Sequence, residues 1–173
     1  MGCGKSTIAA ALGHLLGMAC MEMDQQIVEQ EGRSIADIFA DQGEAYFRSV
    51  ETDLLRSFSD RAGVIVSCGG GVPLREENIH IMKENGLVVF LNADAEIIYG
   101  RVKDSTDRPI LNGHMNVEYI GELMDKRRPW YEKAADVCIT VGHKSTMDVC
   151  VEILENVAHS TENGVFLRKK VEI

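Results

Sequence analysis

The most constraining feature of the sequence is the glycine-rich segment Gly2-Cys3-Gly4-Lys5-Ser6-Thr7, which runs directly into an amphipathic helix. It matches the end of the phosphate-binding pattern G-x-x-x-x-G-K-[ST], in which glycines let backbone N–H groups converge on phosphate oxygens. The following helix points the positive end of its dipole at the same phosphates. In this pattern Lys5 reaches the β- and γ-phosphates and the Ser6 hydroxyl ligates Mg²⁺.

Apolar runs separated by amphipathic segments organise the rest of the chain. Runs at 64–68, 87–91 and 136–140, and a weaker one at 18–23, predict buried parallel strands because they are continuously apolar. Helices are predicted at 6–16, 34–40, 44–59, 75–84, 95–102, 117–130 and 146–158. Ser34 opens the second of them from a capping-box position. The alternation predicts an α/β fold, a three-layer sandwich of right-handed βαβ units.

Composition and charge exclude several classes of protein. The chain of 173 residues is 45 % apolar and 26 % charged, which fits one globular domain and excludes a disordered chain. Its net charge of −9 disfavours general binding to nucleic acid or to an anionic membrane. The sequence shows no apolar run long enough to span a bilayer and no signal-peptide core, so we expect a cytoplasmic protein. The five cysteines lack the spacing of a zinc site or a disulfide framework.

Two acidic residues and a glycine triplet stand where α/β sheets bind ligands. Glu22 and Asp24 lie at a predicted strand end, and alternate residues of an extended segment point the same way, so both should face the phosphates. One would assist Mg²⁺ through water and the other would accept a proton from a substrate hydroxyl; otherwise they form a solvated face or a helix cap. Gly69-Gly70-Gly71 follows a buried strand, which indicates close approach of a ligand or a plain loop.

Arginines provide the candidate anion contacts. Arg48 and Glu51 lie three residues apart on a helix, which indicates either a surface ion pair or an arginine aimed at an anionic substrate group. Arg108 lies in a long polar stretch that is typical of a lid, from which an arginine closes onto the transferred phosphate. Arg127 and Arg128 lie near the end of a helix. The helix dipole favours basic residues there whether or not they bind an anion, so their position alone does not predict an anion site.

In this order the motifs resemble those of the shikimate kinase family. They are GCGKST, the acidic pair, GRSIADIF, GEAYFRSVE, the glycine triplet after a strand, RPIL and KRRPWY, and they extend from Gly2 to about Ala158. The resemblance implies a P-loop, nucleoside-monophosphate-kinase-like fold whose parallel sheet has the strand order 2-3-1-4-5. It implies one domain over 1–158, with a substrate-binding segment at about 24–60 and a lid at about 103–116, followed by a tail, 159–173, without an assigned role.

The activity implied by the resemblance is transfer of the ATP γ-phosphoryl group to the 3-hydroxyl of shikimate, with Mg²⁺, by a monomeric enzyme. Lys5, Asp24 and Arg108 are implied as catalytic, with Asp24 also binding the shikimate hydroxyls and acting as the base. The implied ATP site comprises Gly2, Cys3, Gly4, Lys5, Ser6, Thr7, Arg101 and Arg108. The implied shikimate site comprises Asp24, Arg48, Gly69, Gly70, Gly71 and Arg127, with Arg48 and Arg127 on the carboxylate. The resemblance also implies that Ser6 holds the metal and that Glu22 contributes to its binding through water.

The sequence departs from the family pattern at three places. Glu22 stands where an aspartate is usual, and His143 or Lys144 lies near the position of a late adenine-side arginine. The first glycine of the loop and the strand before it would fall ahead of Met1, so we expect that Met1 is not the start of the working enzyme and that the central strand is missing. The tail is not expected to replace this strand, because its apolar residues run into a basic segment at 168–170.

Two other functions fit parts of the pattern. Another small-molecule P-loop kinase, such as a gluconate kinase, would share the phosphate loop, but the carboxylate clamp with the glycine triplet argues against it. The second alternative is a non-catalytic remnant that only binds ligand, and the missing strand is the only feature that favours it.

Overall fold

Helices alternate with parallel strands along the chain, as the sequence predicts. The computed structural model describes residues 2–103, 116–162 and 170–172. Within them the strands are β1 (Ala19–Glu22), β2 (Val64–Ser67), β3 (Gly86–Asn92), β4 (Val137–Thr140) and β5 (Lys170–Glu172). The helices are α1 (Lys5–Leu16), α2 (Met23–Glu31), α3 (Ile35–Ser57), α4 (Glu76–Asn85), α5 (Ala95–Val102), α6 (Val117–Ala134) and α7 (Thr146–Glu162), with a short 3₁₀ helix at Val72–Leu74.

Two apolar cores lie on opposite faces of the sheet. Ile65 of β2 packs in the core that α1, α5 and α7 cover, whereas its neighbours Val64 and Val66 pack in the core that α2, α3 and α4 cover. On β3, Leu87 and Val88 divide between the two cores in the same way. Because successive residues of a strand point to opposite faces, this pattern buries both faces of the sheet. The predicted three-layer α/β sandwich is confirmed.

The central position of the sheet is occupied by the C-terminal strand. The observed order is β1-β2-β5-β3-β4. Compared with the implied order 2-3-1-4-5, β1 to β4 stand where strands 2 to 5 are expected, and β5 stands where strand 1 is expected. Val171 pairs with Ile65 of β2 on one side and with Leu87 of β3 on the other, both in parallel.

The expectation that the tail does not replace the central strand is therefore wrong in this structure: β5 stands in that place, and among the described residues no strand precedes α1. A gap between two strands is filled through backbone N–H and C=O groups, which any residue except proline supplies in full. The pairing begins at Lys170 and has Val171 at its middle, so it lies at the end of the basic segment.

The carboxyl ends of the strands bring the predicted site motifs to one edge of the sheet. β1 and β2 pair in parallel, with Glu22 opposite Ser67. The acidic pair therefore lies beside the glycine triplet, which begins two residues after Ser67. This edge is where parallel α/β sheets bind their ligands.

The helices differ from the sequence prediction in three ways. α2 was not predicted, and α6 continues through Pro129 to Ala134. α3 spans both helices predicted at 34–40 and 44–59, with a break at Gly43, whose φ of 79° suits glycine. Ser34 caps α3 as predicted, by accepting the N–H of Asp37. In the part of the chain that the structure describes, no helix is both long and apolar enough to cross a membrane.

Candidate active site

The phosphate loop has the backbone that its glycines predict. Gly2 and Gly4 adopt φ values of 60° and 93°, in the left-handed region that glycine enters without strain. α1 begins at Lys5, directly after Gly4, so its N-terminal N–H groups face the end of the loop. A cavity of about 70 Å³ extends from Lys5 to Gly69 and Gly70. The lysine that contacts phosphate in such loops therefore lines the same cavity as the first two glycines of the triplet.

Ser6 and Glu22 form an oxygen-rich pair beside the loop. The Ser6 Oγ donates to Oε2 of Glu22 at 3.1 Å, whereas the buried Oε1 has no hydrogen-bond partner among the described residues. A buried carboxylate oxygen without a partner is unfavourable unless a cation or water engages it. The described residues contain no cluster of three or more His, Cys, Asp or Glu side chains around a common point. Mg²⁺ is commonly bound by one or two protein oxygens together with phosphate and water, so this donor set fits it.

The two acidic residues reach the site by a different route from the one predicted. β1 ends at Glu22, and the buried Met23 begins α2, so Asp24 lies in the first turn of a helix. The prediction that Glu22 and Asp24 share one extended segment is therefore wrong, because the strand stops where Met23 enters the core. Asp24 still faces the glycine triplet: a Cβ added to Gly69 would lie 2.9 Å from its Oδ1.

Arg48 and Glu51 form a buried ion pair. Nη1 of Arg48 donates to Oε2 of Glu51 at 2.6 Å, and Nη2 donates to Glu44 at 2.9 Å. Glu51 is 1 % exposed, and this burial raises the pKa of its carboxyl, with Arg48 opposing the shift. Burial also acts against the charge of Arg48, but Glu51 and Glu44 outweigh it and raise the pKa of the guanidinium. Of the two sequence interpretations, the surface ion pair is excluded, and the arginine is held against the glycine triplet.

The glycine triplet packs directly against these side chains. A Cβ added to Gly69 would lie 2.7 Å from Oε1 of Glu51, and one added to Gly71 would overlap the guanidinium of Arg48. Gly71 has a φ of −95°, so the close approach alone, and no backbone strain, requires glycine at this position. The triplet therefore lies directly against the candidate site side chains, and its contact with a ligand stays a prediction.

Gly71→Ala is expected to displace the Arg48 guanidinium and to raise the KM of an anionic substrate by about 10-fold or more, since a charge-assisted contact is lost. The fold should be kept, because the overlapping atoms belong to the end of a long side chain. Gly100→Ala is the matched control: it lies in α5 with no atom within 4 Å of the added Cβ. Steady-state kinetics of both variants, with circular dichroism, tests this, and an unchanged KM in Gly71→Ala would contradict it.

Two residues that hold the site together were missed by sequence reasoning. Arg75 donates from Nη1 to the carbonyl of Arg48 and to Oγ1 of Thr52, both at 3.0 Å. The hydroxyl of Tyr131 donates to the carbonyl of Gly70 at 2.8 Å. Tyr131 lies one helical turn after a predicted site arginine, and this spacing is the signal that could have found it.

Arg101 connects the phosphate loop to the segment that follows β4. It donates to the carbonyls of Cys3, at 3.1 Å, and Gly142, at 3.2 Å. A second cavity of about 200 Å³ lies here, lined by Cys3, Gly4, Thr7, Ile8, Arg101, Val141, Lys144, Thr146 and Val149. Of the two residues near the adenine-side position, Lys144 lines this cavity and pairs with Glu152.

The remaining predicted arginines are placed differently. Arg128 forms an ion pair with Asp125 on the exposed side of α6, at 3.8 Å. Arg127 is half-buried and makes no hydrogen bond or ion pair with the residues that the structure describes. Arg108 and most of the predicted lid lie outside the described residues, so the roles assigned to them stay predictions.

Comparison with known proteins identifies the family. The family model described as shikimate kinase matches residues 1–158. A shikimate kinase of Bacillus cytotoxicus is 41 % identical over 157 residues, which cover 91 % of this chain and 93 % of the relative. A shikimate kinase of Dehalococcoides mccartyi is 38 % identical over 153 residues, 88 % of this chain and 86 % of the relative.

Solved structures agree with the family model. Shikimate kinase from Acinetobacter baumannii, solved in complex with shikimate, has a TM-score of 0.88 at 29 % identity, covering 92 % of this chain and 89 % of that chain. The enzyme from Aquifex aeolicus has a TM-score of 0.81 at 35 % identity, with 95 % of each chain covered. A gluconokinase from Sinorhizobium meliloti, at 18 % identity and a TM-score of 0.55, shares the fold alone. With the phosphate loop, the acidic residues and the glycine triplet gathered at one sheet edge, these matches show that the chain belongs to the shikimate kinase family.

Proposed function

We propose that this chain transfers the γ-phosphoryl group of ATP to the 3-hydroxyl of shikimate. The main support is one juxtaposition: Asp24 and the Arg48–Glu51 pair contact the same glycine triplet whose cavity reaches Lys5. Phosphoryl transfer depends on positioning and charge stabilisation, and this arrangement offers a base, an anion contact and a phosphate loop within one edge of the sheet. The relative solved with shikimate supports the choice of substrate.

At the nucleotide side, Gly2 to Thr7 receive the phosphates through backbone N–H groups, and Lys5 neutralises charge on them. Ser6 and Glu22 are the residues that would hold Mg²⁺, and the free Oε1 of Glu22 supports this. Held there, Mg²⁺ would supply positive charge that offsets the negative charge developing on the transferred phosphoryl group. Arg101 keeps Cys3 of the loop in place, and Arg108 is proposed to close onto ATP from the lid.

At the acceptor side, Asp24 accepts the proton of the shikimate hydroxyl as it attacks. Its carboxylate is exposed to the site, and it faces Gly69 without a hydrogen-bond partner among the described residues. Arg48 and Arg127 bind the shikimate carboxylate, for which a planar guanidinium offers two parallel hydrogen bonds. Glu51 keeps the Arg48 guanidinium oriented toward the triplet.

An assay of ADP release, coupled to NADH oxidation, with shikimate, quinate and gluconate as acceptors tests the proposed function. We expect turnover with shikimate in the presence of Mg²⁺, and a product phosphorylated at the 3-position by ³¹P NMR. Turnover with gluconate but not shikimate, or ATP binding without any turnover, would overturn the proposal. We also propose a monomer located in the cytoplasm, and light scattering after gel filtration tests the oligomeric part.

Arg127→Lys is expected to raise the KM for shikimate by about 10- to 100-fold and to leave the KM for ATP nearly unchanged, since lysine loses the planar two-point contact. Arg128→Lys is the matched control, because Arg128 pairs with Asp125 on the exposed side of the same helix. Initial-rate kinetics with each substrate varied in turn measures both. A larger effect on shikimate KM in Arg128→Lys would place the carboxylate contact one residue further along.

A further inference from the structure

Tyr131 joins α6, which carries Arg127, to the glycine triplet, and both belong to the proposed acceptor site. Its hydroxyl donates to the Gly70 carbonyl at 2.8 Å, and its ring packs on Phe90 of β3 with the centroids 5.2 Å apart. The carbonyls of Gly69 and Gly71 accept the backbone N–H groups of the 3₁₀ turn that follows. Tyr131 therefore provides the side-chain hydrogen bond to the one triplet carbonyl that this turn leaves unpaired.

The position of Tyr131 on its helix matters as much as the bond. Arg127 and Tyr131 are four residues apart on α6, so they lie one above the other on the same face. On the opposite side of the triplet, Gly71 lies directly against the guanidinium of Arg48. A continuous set of contacts thus runs from α6 through Tyr131 and the triplet to Arg48.

We infer that Tyr131 is a positioning residue that sets the separation of the two arginines binding the acceptor carboxylate. The inference rests on the proposed function. A carboxylate that is bound by both Arg48 and Arg127 requires the two guanidinium groups at fixed positions. Because Arg127 lies on α6, a shift of α6 relative to the triplet weakens binding of the acceptor. The nucleotide contacts lie on α1 and α5, and they should be unaffected.

Tyr131→Phe tests the hydroxyl alone, because the ring that packs on Phe90 is kept. Isothermal titration calorimetry with shikimate gives the Kd of each variant directly. We expect the Kd and KM for shikimate to rise by about 2- to 10-fold, which is the range for loss of one net hydrogen bond. The KM for ATP and kcat at saturating shikimate should stay within about twofold.

Two control variants separate positioning from general stability. Asn85→Ala removes another half-buried side chain that donates to a backbone carbonyl, that of Ile81 at the end of α4, and it should leave both KM values unchanged. Phe90→Leu disturbs the ring contact but keeps the Tyr131 hydroxyl, and it should lower the urea midpoint more than the affinity for shikimate. If Phe90→Leu weakens shikimate binding as much as Tyr131→Phe, ring packing explains the effect and the inference is wrong.

A double-mutant cycle with Arg127→Lys tests the route by which Tyr131 acts. If Tyr131 works by placing Arg127, the loss in the double variant is smaller than the product of the two single losses. Multiplicative losses, an unchanged Kd in Tyr131→Phe, or an equal rise in the KM for ATP would overturn the inference. Failure of the wild-type chain to phosphorylate shikimate would instead overturn the proposed function, so the two failures are distinguishable.

Discussion

Replacing Asp24 with asparagine is expected to lower kcat by about 10²- to 10⁴-fold, the range for loss of general-base assistance. Asn is close in size and keeps a carbonyl oxygen toward Gly69, but it cannot accept the proton of the attacking hydroxyl. The nucleotide contacts on α1 lie on another element, so the KM for ATP should stay close to that of the wild type.

The measurement is initial-rate kinetics together with a titration of a fluorescent ATP analogue. Asp53→Asn is the control, because Asp53 is an exposed acid on α3 that pairs only with Arg56 among the described residues. A kcat within a few-fold of the wild type would remove Asp24 from proton transfer and leave it as a residue that binds the substrate.

The local parts of the site were predictable because their signals are local. The phosphate loop is encoded by a few adjacent residues, Gly2 to Ser6, and its glycine conformations and the start of α1 at Lys5 follow the pattern. The triplet was found in the same way, since Gly69 follows a continuously apolar strand. Ser34 could be recognised as a helix cap from the residues that follow it.

The contacts that complete the site are long-range, and the sequence pattern does not contain them. From the sequence, Glu51 fits either a surface or a buried partner of Arg48. The packing of α3 buries it, and this packing cannot be read from the residues of the helix alone. The bond from Tyr131 to Gly70 joins residues 61 positions apart. Asp24 was placed on an extended segment because alternate positions fit a strand, whereas burial of Met23 starts a helix there.

The strand β5 was missed for a related reason. Its position depends on an open place between β2 and β3, and no property of residues 170–172 themselves reveals that place. A basic segment argues against a buried strand when it is considered alone. Two strands with unpaired backbone groups on facing sides favour any segment that can pair with both, because each buried unsatisfied group costs about 1 to 3 kcal/mol.

Val171→Pro is expected to lower the free energy of unfolding by about 3 kcal/mol or more, a large part of the roughly 5 to 15 kcal/mol of a typical domain. Val171 lies at the middle of β5, opposite Ile65 and Leu87. Proline removes its N–H, leaves a neighbouring carbonyl unpaired inside the sheet, and is essentially restricted to edge strands. Deletion of residues 163–173 should destabilise the protein at least as much, since β2 and β3 then lose all their pairing with β5.

Val171→Thr is the matched control, because threonine keeps both the N–H and the β-branched shape that strands favour. Urea unfolding followed by circular dichroism gives the free energies, and hydrogen exchange reports the pairing itself. If β5 is the central strand, amides of β2 and β3 should exchange faster in Val171→Pro than in Val171→Thr, while β1 and β4 are affected less. Equal unfolding midpoints and equal exchange in the two variants would show that residues 170–172 do not pair with the sheet in solution.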